Sequence, residues 1–368
     1  MHPNRSAGNA YCLERKYVTE QSIFDLETER VFERSWVCVC RESELQSDRG
    51  ARRFELGANK LFLIKDASDN IRAFRNFCRH RGSLLVTDGN CQKIGKRIQC
   101  PYHAWTYERD GKLAAAPNMD GVESFCSDDF GLIDIPCETH GGFVWASISP
   151  EKSLEQFLQP LESHFADWSI SELQVAQEIT YQVNANWKLI FQNYNECYHC
   201  PTVHPALNRL TPYKDSSNMV ESGPILGGPM QLSDDGETMS MDGKRVGQQL
   251  PKLSAQQARS IHYFTIFPTI FLSTHPDYVL VHRIERISIG ETRVTCQFLF
   301  HPNSLAQDNF APGPAIEFWD MTNRQDWEVY ELAQSGMEEK GYRPGLYSNL
   351  ESVLAAFDQY YFHELQRE

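Results

Sequence analysis

Two short segments of this chain each place one cysteine and one histidine at a spacing typical of metal ligands. The pairs are Cys78-x-His80 and Cys100-x-x-His103, and nineteen residues separate His80 from Cys100. Two cysteines and two histidines in paired short spacings can hold a structural zinc ion or an iron–sulfur cluster with mixed ligands. Either centre requires both segments to meet at one point, which constrains the fold of this region.

The spacing within each pair separates these alternatives. The C-x-H spacing is shorter than the C-x-x-C of the usual zinc knuckle, whereas a mixed-ligand [2Fe–2S] centre takes both residue types. The residues around the ligands, HRG (80–82) and CPYH (100–103), resemble the fingerprint of Rieske [2Fe–2S] domains. This resemblance implies a cluster bound by the two cysteines and the two histidines, with structural zinc as the remaining alternative.

Two further positions indicate which type of Rieske protein the chain resembles. Respiratory Rieske proteins carry an extra cysteine in each ligand loop, and here Ser83 and Tyr102 occupy those positions. The region is therefore similar to the Rieske domain of bacterial ring-hydroxylating oxygenases. A Rieske protein that only carries electrons is much shorter than 368 residues, so we expect an electron acceptor elsewhere in the chain.

The segment NYNECYHCPTVHPALN (193–208) supplies candidates for that acceptor. A histidine pair suits ferrous iron, and two histidines with one carboxylate leave positions open for dioxygen and substrate. Without the upstream motif, His199 and His204 would more simply be a structural pair. With it, we expect both to bind a mononuclear iron.

The carboxylate ligand must come from another segment. The run WDMTNRQDWEVYEL (319–332) resembles the helix that supplies it in Rieske oxygenases, and Asp326 matches the ligand position. Asp320 and Glu328 are the other choices. The resemblance therefore implies a metal set of His199, His204 and Asp326.

One carboxylate beside the histidines has a different expected role. Helical spacing over WKLIFQNYNECYH (187–199) puts Glu196 and His199 on one face. In the family, this position holds a carboxylate that links the two metal centres and orients a ligand histidine. Cys197 and Cys200 could instead form a C-x-x-C zinc site, but they would need two more ligands, and we expect both to be packing residues.

Composition limits the partners and the compartment. The net charge of −14 argues against nucleic acid, and no apolar run is long enough for a membrane span. The amino-terminal stretch beginning MHPNRSAGN lacks the apolar centre of a signal peptide. Eleven irregularly spaced cysteines favour reduced thiols and a cytoplasmic protein.

The pattern of elements predicts an α+β protein. Short β-rich runs between Gly, Asp and Asn turns indicate a small all-β Rieske domain over 45–150. We expect an N-terminal helical segment over 1–44 that packs on the catalytic domain, and an α/β catalytic domain over 151–368. In that domain helices cover an antiparallel sheet in a helix-grip, START-like arrangement. The irregular stretch 209–257 is expected to border the active site, with a disordered insertion as the alternative.

The resemblance implies a Rieske non-haem iron oxygenase α subunit, with dioxygen as cosubstrate. A reductase of the flavin or ferredoxin type would pass electrons from NAD(P)H to the cluster, and the family is typically a homotrimer. An electron carrier or a zinc-binding protein without oxygenase activity is the alternative of another class.

The expected substrate is a quaternary ammonium compound, such as choline, betaine or carnitine, that is hydroxylated or N-dealkylated. Glutamate at 196 and the segment 261–286 resemble the members that act on such compounds. Aromatic side chains could hold the ammonium by cation–π attraction. The candidates are Tyr194, Tyr263, Phe264 and Phe271. Since they could equally line a pocket for an aromatic ring, an aromatic-ring hydroxylase is the alternative.

Overall fold

The computed structural model describes residues 10–45, 50–87 and 91–367. The stretch MHPNRSAGN, on which the argument against a signal peptide partly rests, lies outside the described residues. The chain forms two compact units. One is Phe32–Gln156, and the other combines the described parts of Met1–Val31 and Phe157–Glu368.

The unit Phe32–Gln156 is built from short antiparallel strands, which confirms the small all-β domain. The strands are β1 (Val37–Arg41), β2 (Gly50–Leu56), β3 (Asn59–Lys65), β4 (Ile71–Arg75), β5 (Cys91–Lys93), β6 (Ile98–Gln99), β7 (Thr106–Tyr107), β8 (Leu113–Ala115), β9 (Asp134–Ile135), β10 (Cys137–His140) and β11 (Phe143–Ala146). They form a five-stranded sheet, β5-β2-β3-β4-β9, and two three-stranded sheets, β1-β11-β10 and β6-β7-β8. The hydrophobic core of this unit includes Phe62, Phe74, Trp105 and Tyr107.

The second unit contains one six-stranded antiparallel sheet. Its strands are β12 (Gln174–Val183), β13 (Ile225–Gln231), β14 (Ser260–Ile266), β15 (Ile270–Thr274), β16 (Tyr278–Ser288) and β17 (Glu291–Phe300), in the order β12-β17-β16-β15-β14-β13. Every residue of β15 is buried. Burial of successive residues requires cover on both faces of the sheet, because side chains alternate between the faces.

Helices provide part of that cover and confirm the α+β class. The helices of the chain are α1 (Lys16–Thr19), α2 (Gln21–Glu27), α3 (Leu154–Leu158), α4 (Glu162–Asp167), α5 (Trp187–Tyr194), α6 (Cys200–Val203), α7 (Pro205–Leu210), α8 (Pro302–Leu305), α9 (Gly313–Glu338) and α10 (Ser352–Gln366). The long helix α9 packs against β12 and α5, and α10 packs against β13. Residues three to four apart share a helix face, so Trp319, Thr322 and Asp326 lie along one side of α9.

The sequence-based boundaries differ from the division seen in the structure. Strand β1, which falls within the predicted N-terminal segment 1–44, pairs with β11 and therefore belongs to the β-rich unit. Helix α2 belongs to the unit that contains the large sheet, where the buried Glu27 accepts a hydrogen bond from Trp187 Nε1 at 2.9 Å. Cross-strand pairing of β1 over a separation of about a hundred residues cannot be read from local periodicity.

The prediction of one helix over 187–199 is wrong, because α5 ends at Tyr194. The Asn195 side chain donates to the carbonyl of Phe191 at 2.8 Å and accepts from Thr265 Oγ1 at 2.9 Å. These two bonds satisfy a terminal carbonyl and hold Asn195 outside the helix. The chain then turns and begins α6 with Pro201 in its first turn.

The stretch 209–257 is ordered and includes β13. The buried carboxylate of Asp277 accepts from Thr238 Oγ1 at 2.7 Å, Val246 N at 2.8 Å and Gly247 N at 3.1 Å. Burial raises the pKa of Asp277 to about 6, although these bonds favour the charged form. The structure therefore does not support the alternative that 209–257 is a disordered insertion.

Candidate metal centres and substrate cavity

The two Cys/His loops of the β-rich unit close with the same backbone geometry. In the first loop Gly82 N donates to Cys78 O and Cys78 N donates to Ser83 O, at 2.9 and 2.8 Å. In the second loop Ala104 N donates to Cys100 O at 3.1 Å, and Cys100 N donates to Trp105 O at 2.8 Å. Gly82 and Ala104 both have positive φ, 75° and 57°. This conformation is natural for glycine and costly for alanine.

This closure brings the side chain of Cys78 close to that of Cys100, and the ring of His80 close to that of His103. Cys78 and Cys100 are buried, whereas His80 and His103 are exposed, with ring centroids 4.7 Å apart. Cys78 Sγ lies 3.2 Å from Tyr107 Oη, and His80 stacks on Trp105 at 4.9 Å. Burial raises the pKa of the Cys78 thiol. Inner thiols and outer imidazoles fit a cluster whose two irons have different ligands.

The second candidate centre joins three residues from distant segments. His199 lies just before the single turn α6, His204 just after it, and Asp326 in the middle of α9. Asp326 Oδ1 is 2.9 Å from His204 Nε2 and 3.6 Å from His199 Nε2. The three ligand atoms all lie within 4.8 Å of one another. Two imidazoles and one carboxylate converging in this way fit a divalent iron with open positions.

The charges of these groups are strongly coupled. Burial lowers the pKa of His199, but hydrogen bonds to Asp326 and Glu196 outweigh it and raise the pKa to about 9. Burial raises the pKa of Asp326, but its hydrogen bonds to both histidines outweigh this effect and leave the pKa below the usual value. The geometry therefore favours an ionised carboxylate between two imidazoles, and a metal cation could replace the shared protons.

Each histidine has a second partner at Nδ1. Glu196 Oε1 lies 2.5 Å from His199 Nδ1, and Gln325 Oε1 lies 2.8 Å from His204 Nδ1. Because carboxylate and amide oxygens accept hydrogen bonds, Nδ1 donates in both rings, and Nε2 is the atom that shares a proton with Asp326 or would bind a metal in its place. Asn193 adds a longer contact to His199 Nδ1 at 3.5 Å and accepts from Tyr330 Oη.

The two other carboxylates considered for the ligand set lie apart from it. Asp320 accepts from Tyr181 Oη at 2.7 Å and from Arg324 Nε at 2.9 Å. Glu328 is exposed. Among the described residues, the cluster of possible ligand atoms contains Asp326 together with the two histidines, and it contains neither Asp320 nor Glu328.

The expectation that Cys197 and Cys200 are reduced packing residues is wrong. The structure joins them in a disulfide with a Cα–Cα distance of 4.9 Å. The end of α5 at Tyr194 leaves Cys197 in a turn, and this brings the two sulfurs together. Paired cysteines cannot act as thiolate ligands, so the alternative C-x-x-C zinc site is not supported.

A cavity of about 290 Å³ opens beside the three ligand residues. Its walls include His199, His204 and Asp326, and the aromatic rings of Tyr194, Tyr263 and Trp319. The centroid of Tyr263 lies 6.1 Å from that of Tyr194 and 6.4 Å from that of Trp319. This volume is at the small end for ligand pockets and suits a compact substrate.

Two of the four predicted aromatic contacts are wrong. Tyr194 and Tyr263 line the cavity, whereas Phe264 and Phe271 do not. Side chains alternate along β14, so Phe264 points to the opposite face from Tyr263 and packs on His164 at 4.7 Å. Phe271 stacks on Tyr194 at 4.3 Å and supports that ring from behind.

Several residues of the site were not predicted from the sequence. Trp319 and Thr322 precede Asp326 by seven and four residues, so helical spacing from Asp326 is a signal that could have found both. Gln325 has no such signal, because adjacent helical residues do not share a face. The sequence also carried no signal for the polar lining residues of 216–218 and for Asn349 and Ser352, which come from two segments far apart in sequence.

The comparisons with known proteins match both units. Residues 170–366 match the family model of the ring hydroxylating alpha subunit (catalytic domain), and residues 35–126 match that of the Rieske [2Fe–2S] domain. The first match covers more than half of the chain. The chain therefore belongs to the ring-hydroxylating α-subunit family of Rieske oxygenases, and it is an oxidoreductase.

Individual relatives have names that narrow this class. The chain is 28% identical over 386 residues to the glycine betaine monooxygenase oxygenase subunit of Pseudomonas aeruginosa UCBPP-PA14, covering 94% of this chain and 86% of the relative. It is 29% identical over 340 residues to the carnitine monooxygenase oxygenase subunit of Escherichia coli K12, covering 91% and 86%. A solved quaternary ammonium Rieske monooxygenase has the same fold, with a TM-score of 0.80, 24% identity and coverage of 98% and 97%.

Membership of this family also indicates the kinds of cofactor and partner involved. A Rieske cluster and iron are the family's cofactors, and an oxygenase subunit works with a reductase on a small-molecule substrate. Among the helices that the structure describes, none combines the length and apolar character that crossing a bilayer requires.

Proposed function

We propose that this chain is the oxygenase component of a Rieske monooxygenase that acts on a quaternary ammonium compound. The observation that carries the proposal is the cavity in which a 2-His-1-carboxylate set faces Tyr194, Tyr263 and Trp319. Ring faces attract a desolvated organic cation by about 0.5–2 kcal/mol each. The names of the betaine and carnitine relatives support the same substrate class.

In this proposal Cys78, His80, Cys100 and His103 hold the [2Fe–2S] cluster, while His199, His204 and Asp326 hold a ferrous ion. Dioxygen activation would be the chemistry of the iron, and the supply of electrons that of the cluster. Glu196 orients His199 through Nδ1, and Gln325 orients His204 in the same way.

The protein environment of the cavity has two further tasks. Tyr194 and Trp319 are held in place by hydrogen bonds, to Ser273 Oγ at 2.6 Å and to Tyr278 Oη at 2.7 Å. Rings fixed in this way can present their faces to a methylammonium group without losing further conformational freedom. They would place a methyl or methylene carbon of the substrate next to the metal ligands and exclude water from it.

The partners follow from the family. A flavin or ferredoxin reductase would deliver electrons from NAD(P)H, and dioxygen would be the cosubstrate. A homotrimer would let Glu196 link the iron ligand His199 to the cluster of a neighbouring subunit. We expect the protein to work in the cytoplasm.

Oxygen uptake by the reconstituted enzyme tests this function. The full-length protein, loaded with cluster and iron and supplied with a reductase, is expected to consume dioxygen when choline, glycine betaine or carnitine is added. The matched control is His363→Ala, which changes an exposed histidine remote from the site in sequence and should behave as the wild type. Turnover only of aromatic acids would favour a ring hydroxylase, which the aromatic walls could also accommodate.

Metal analysis separates the alternatives of another class. The oxygenase should be red-brown and contain acid-labile sulfide together with iron in excess of the cluster. A colourless zinc protein, or a coloured protein without additional iron, would overturn the proposal.

A further inference from the structure

We infer that the cavity selects a cationic ammonium compound that carries no carboxylate, in preference to a zwitterion. The inference rests on the proposed function and concerns the charges around the cavity. Among its lining residues that the structure describes, Glu196 and Asp326 are acidic, and none is lysine or arginine. A substrate carboxylate would therefore enter a site with two acidic side chains and with no lysine or arginine to pair with.

A bound metal would not make the lining positive. The two positive charges of a ferrous ion would neutralise the two negative charges of Asp326 and Glu196 and leave no net positive charge for a carboxylate. The faces of Tyr194, Tyr263 and Trp319 carry the negative side of an aromatic quadrupole, so they attract an ammonium group and repel a carboxylate. A buried carboxylate needs charged or multiple hydrogen-bonding partners to offset its lost hydration.

The solvent-exposed residues of the cavity lining carry no charge. Ser216, Ser217 and Asn218 form one side of it, with Asn349 and Ser352 also in the lining, and Asn218 Nδ2 lies 3.4 Å from Ser352 Oγ. Hydroxyl and amide groups can both donate and accept, so they suit a hydroxyl, amide or ester of the substrate. The nearby ammonium of Lys214 lies over the Tyr213 ring at 5.6 Å, and Lys214 is not part of the lining.

This polar side is held in place by the sheet. Ser217 N donates to Pro229 O at 3.0 Å, and Met219 N donates to Gly227 O at 2.9 Å. The approach is close enough that a Cβ at Gly228 would lie 2.2 Å from the carbonyl oxygen of Ser217. Because the segment pairs with β13 in this way, its neutral side chains form a fixed wall of the cavity.

A matched pair of ligands tests the inference directly. Glycine betaine and its amide have nearly the same size, but only glycine betaine carries a carboxylate. Isothermal titration calorimetry on the full-length protein is expected to show at least about tenfold tighter binding of the amide. The value of kcat/KM should likewise be higher for the amide than for glycine betaine. Choline, which also has no carboxylate, should resemble the amide.

A charge-introducing variant gives an independent test. Asn218→Arg should strengthen binding of glycine betaine by about fivefold or more and weaken that of the amide, since a guanidinium at the opening pairs with a carboxylate. Asn218→Gln, the neutral control, should keep the wild-type preference. If the substitution only disturbed the structure, binding of both ligands would weaken together, which would contradict the inference.

The outcomes separate the two proposals. Equal or tighter binding of glycine betaine to the wild type would overturn the inference and leave the proposed function standing. An absence of binding and turnover with every ammonium compound would overturn both.

Discussion

At the scale of single residues, the candidate iron site depends on side chains that do not face the metal position. Glu196 and Gln325 accept hydrogen bonds from the Nδ1 atoms of His199 and His204, and this directs both Nε2 atoms toward Asp326. Such outer contacts fix the ring orientation and the tautomer of ligand histidines. The geometry of the ligand set thus depends on five side chains.

Loss of Gln325 should weaken iron binding without affecting the cluster. In Gln325→Leu the Nδ1–H of His204 loses its acceptor, and we expect iron affinity to fall by about 10–100-fold. Chelator competition measures this, while the visible spectrum reports the cluster. Gln325→Glu restores an acceptor and should recover most of the affinity. The neighbouring exposed Arg324→Gln is the control, and wild-type affinity in Gln325→Leu would contradict the assignment.

Removal of one proposed ligand should separate the two centres. His199→Ala is expected to lose the mononuclear iron and all substrate-dependent oxygen uptake, because two ligands do not hold ferrous iron firmly. The red-brown colour should remain, since the proposed cluster ligands belong to the other unit. Iron and sulfide determination on the purified variant checks this. Retention of the extra iron would show that His199 is not a ligand.

At the scale of elements, the N-terminal helix α2 is joined to the catalytic unit by a buried ionic network. Glu27 is fully buried and accepts from Lys188 Nζ at 2.5 Å, Tyr361 Oη at 2.7 Å and Trp187 Nε1 at 2.9 Å. These donors belong to α5 and α10. Burial lowers the pKa of Lys188, and the charge of Glu27 opposes that effect.

Breaking this network should destabilise the catalytic unit. Glu27→Gln leaves Lys188 buried without a counter-charge, and we expect a loss of about 3–5 kcal/mol in the free energy of unfolding. Urea denaturation followed by tryptophan fluorescence measures it. The exposed Glu29→Gln on the same segment should change stability by less than about 0.5 kcal/mol. If the double variant Glu27→Gln, Lys188→Met were no more stable than the single one, the charge explanation would fail.

At the scale of the whole molecule, burial of histidines ties stability to pH. His164 and His262 share a hydrogen bond of 3.0 Å, and His262 also contacts Ser260 Oγ at 3.0 Å. Burial lowers the pKa of His164 to about 4 and that of His262 to about 3, the latter also through the charge of His164. The ordinary value of about 6.5 applies in the unfolded chain.

Stability should therefore decrease as the pH falls below about 6.5. The unfolded chain then binds protons that the folded chain does not, and each such histidine contributes a slope of up to about 1.4 kcal/mol per pH unit. Above that pH both states are neutral at these positions and the contribution is constant. His262→Gln should reduce the slope between pH 6.5 and 5, whereas the exposed His363→Gln should not. Identical slopes in all three proteins would contradict this account.

Local patterns in the sequence were sufficient for much of the fold. The turn-separated β-rich runs predicted over 45–150 are strands in the structure, because alternation is a property of neighbouring residues, and the segment 319–332 lies within helix α9, as its resemblance implied. The helix over 187–199 was predicted five residues too long, since the contact that holds Asn195 outside it comes from Thr265 on a distant strand. Such a contact leaves no trace in local spacing.

The same limit applies to the site. The sequence determined the residue types and the local spacing of the metal ligands, since Cys78-x-His80, Cys100-x-x-His103 and the histidines around α6 are each set within a few residues. Tertiary structure alone decided that Asp326, 122 residues from His204, would meet it at 2.9 Å. It also decided that Tyr263, and not Phe264, would face the cavity. Both depend on how a helix and a sheet pack against each other, and packing is determined by contacts between residues far apart in the chain.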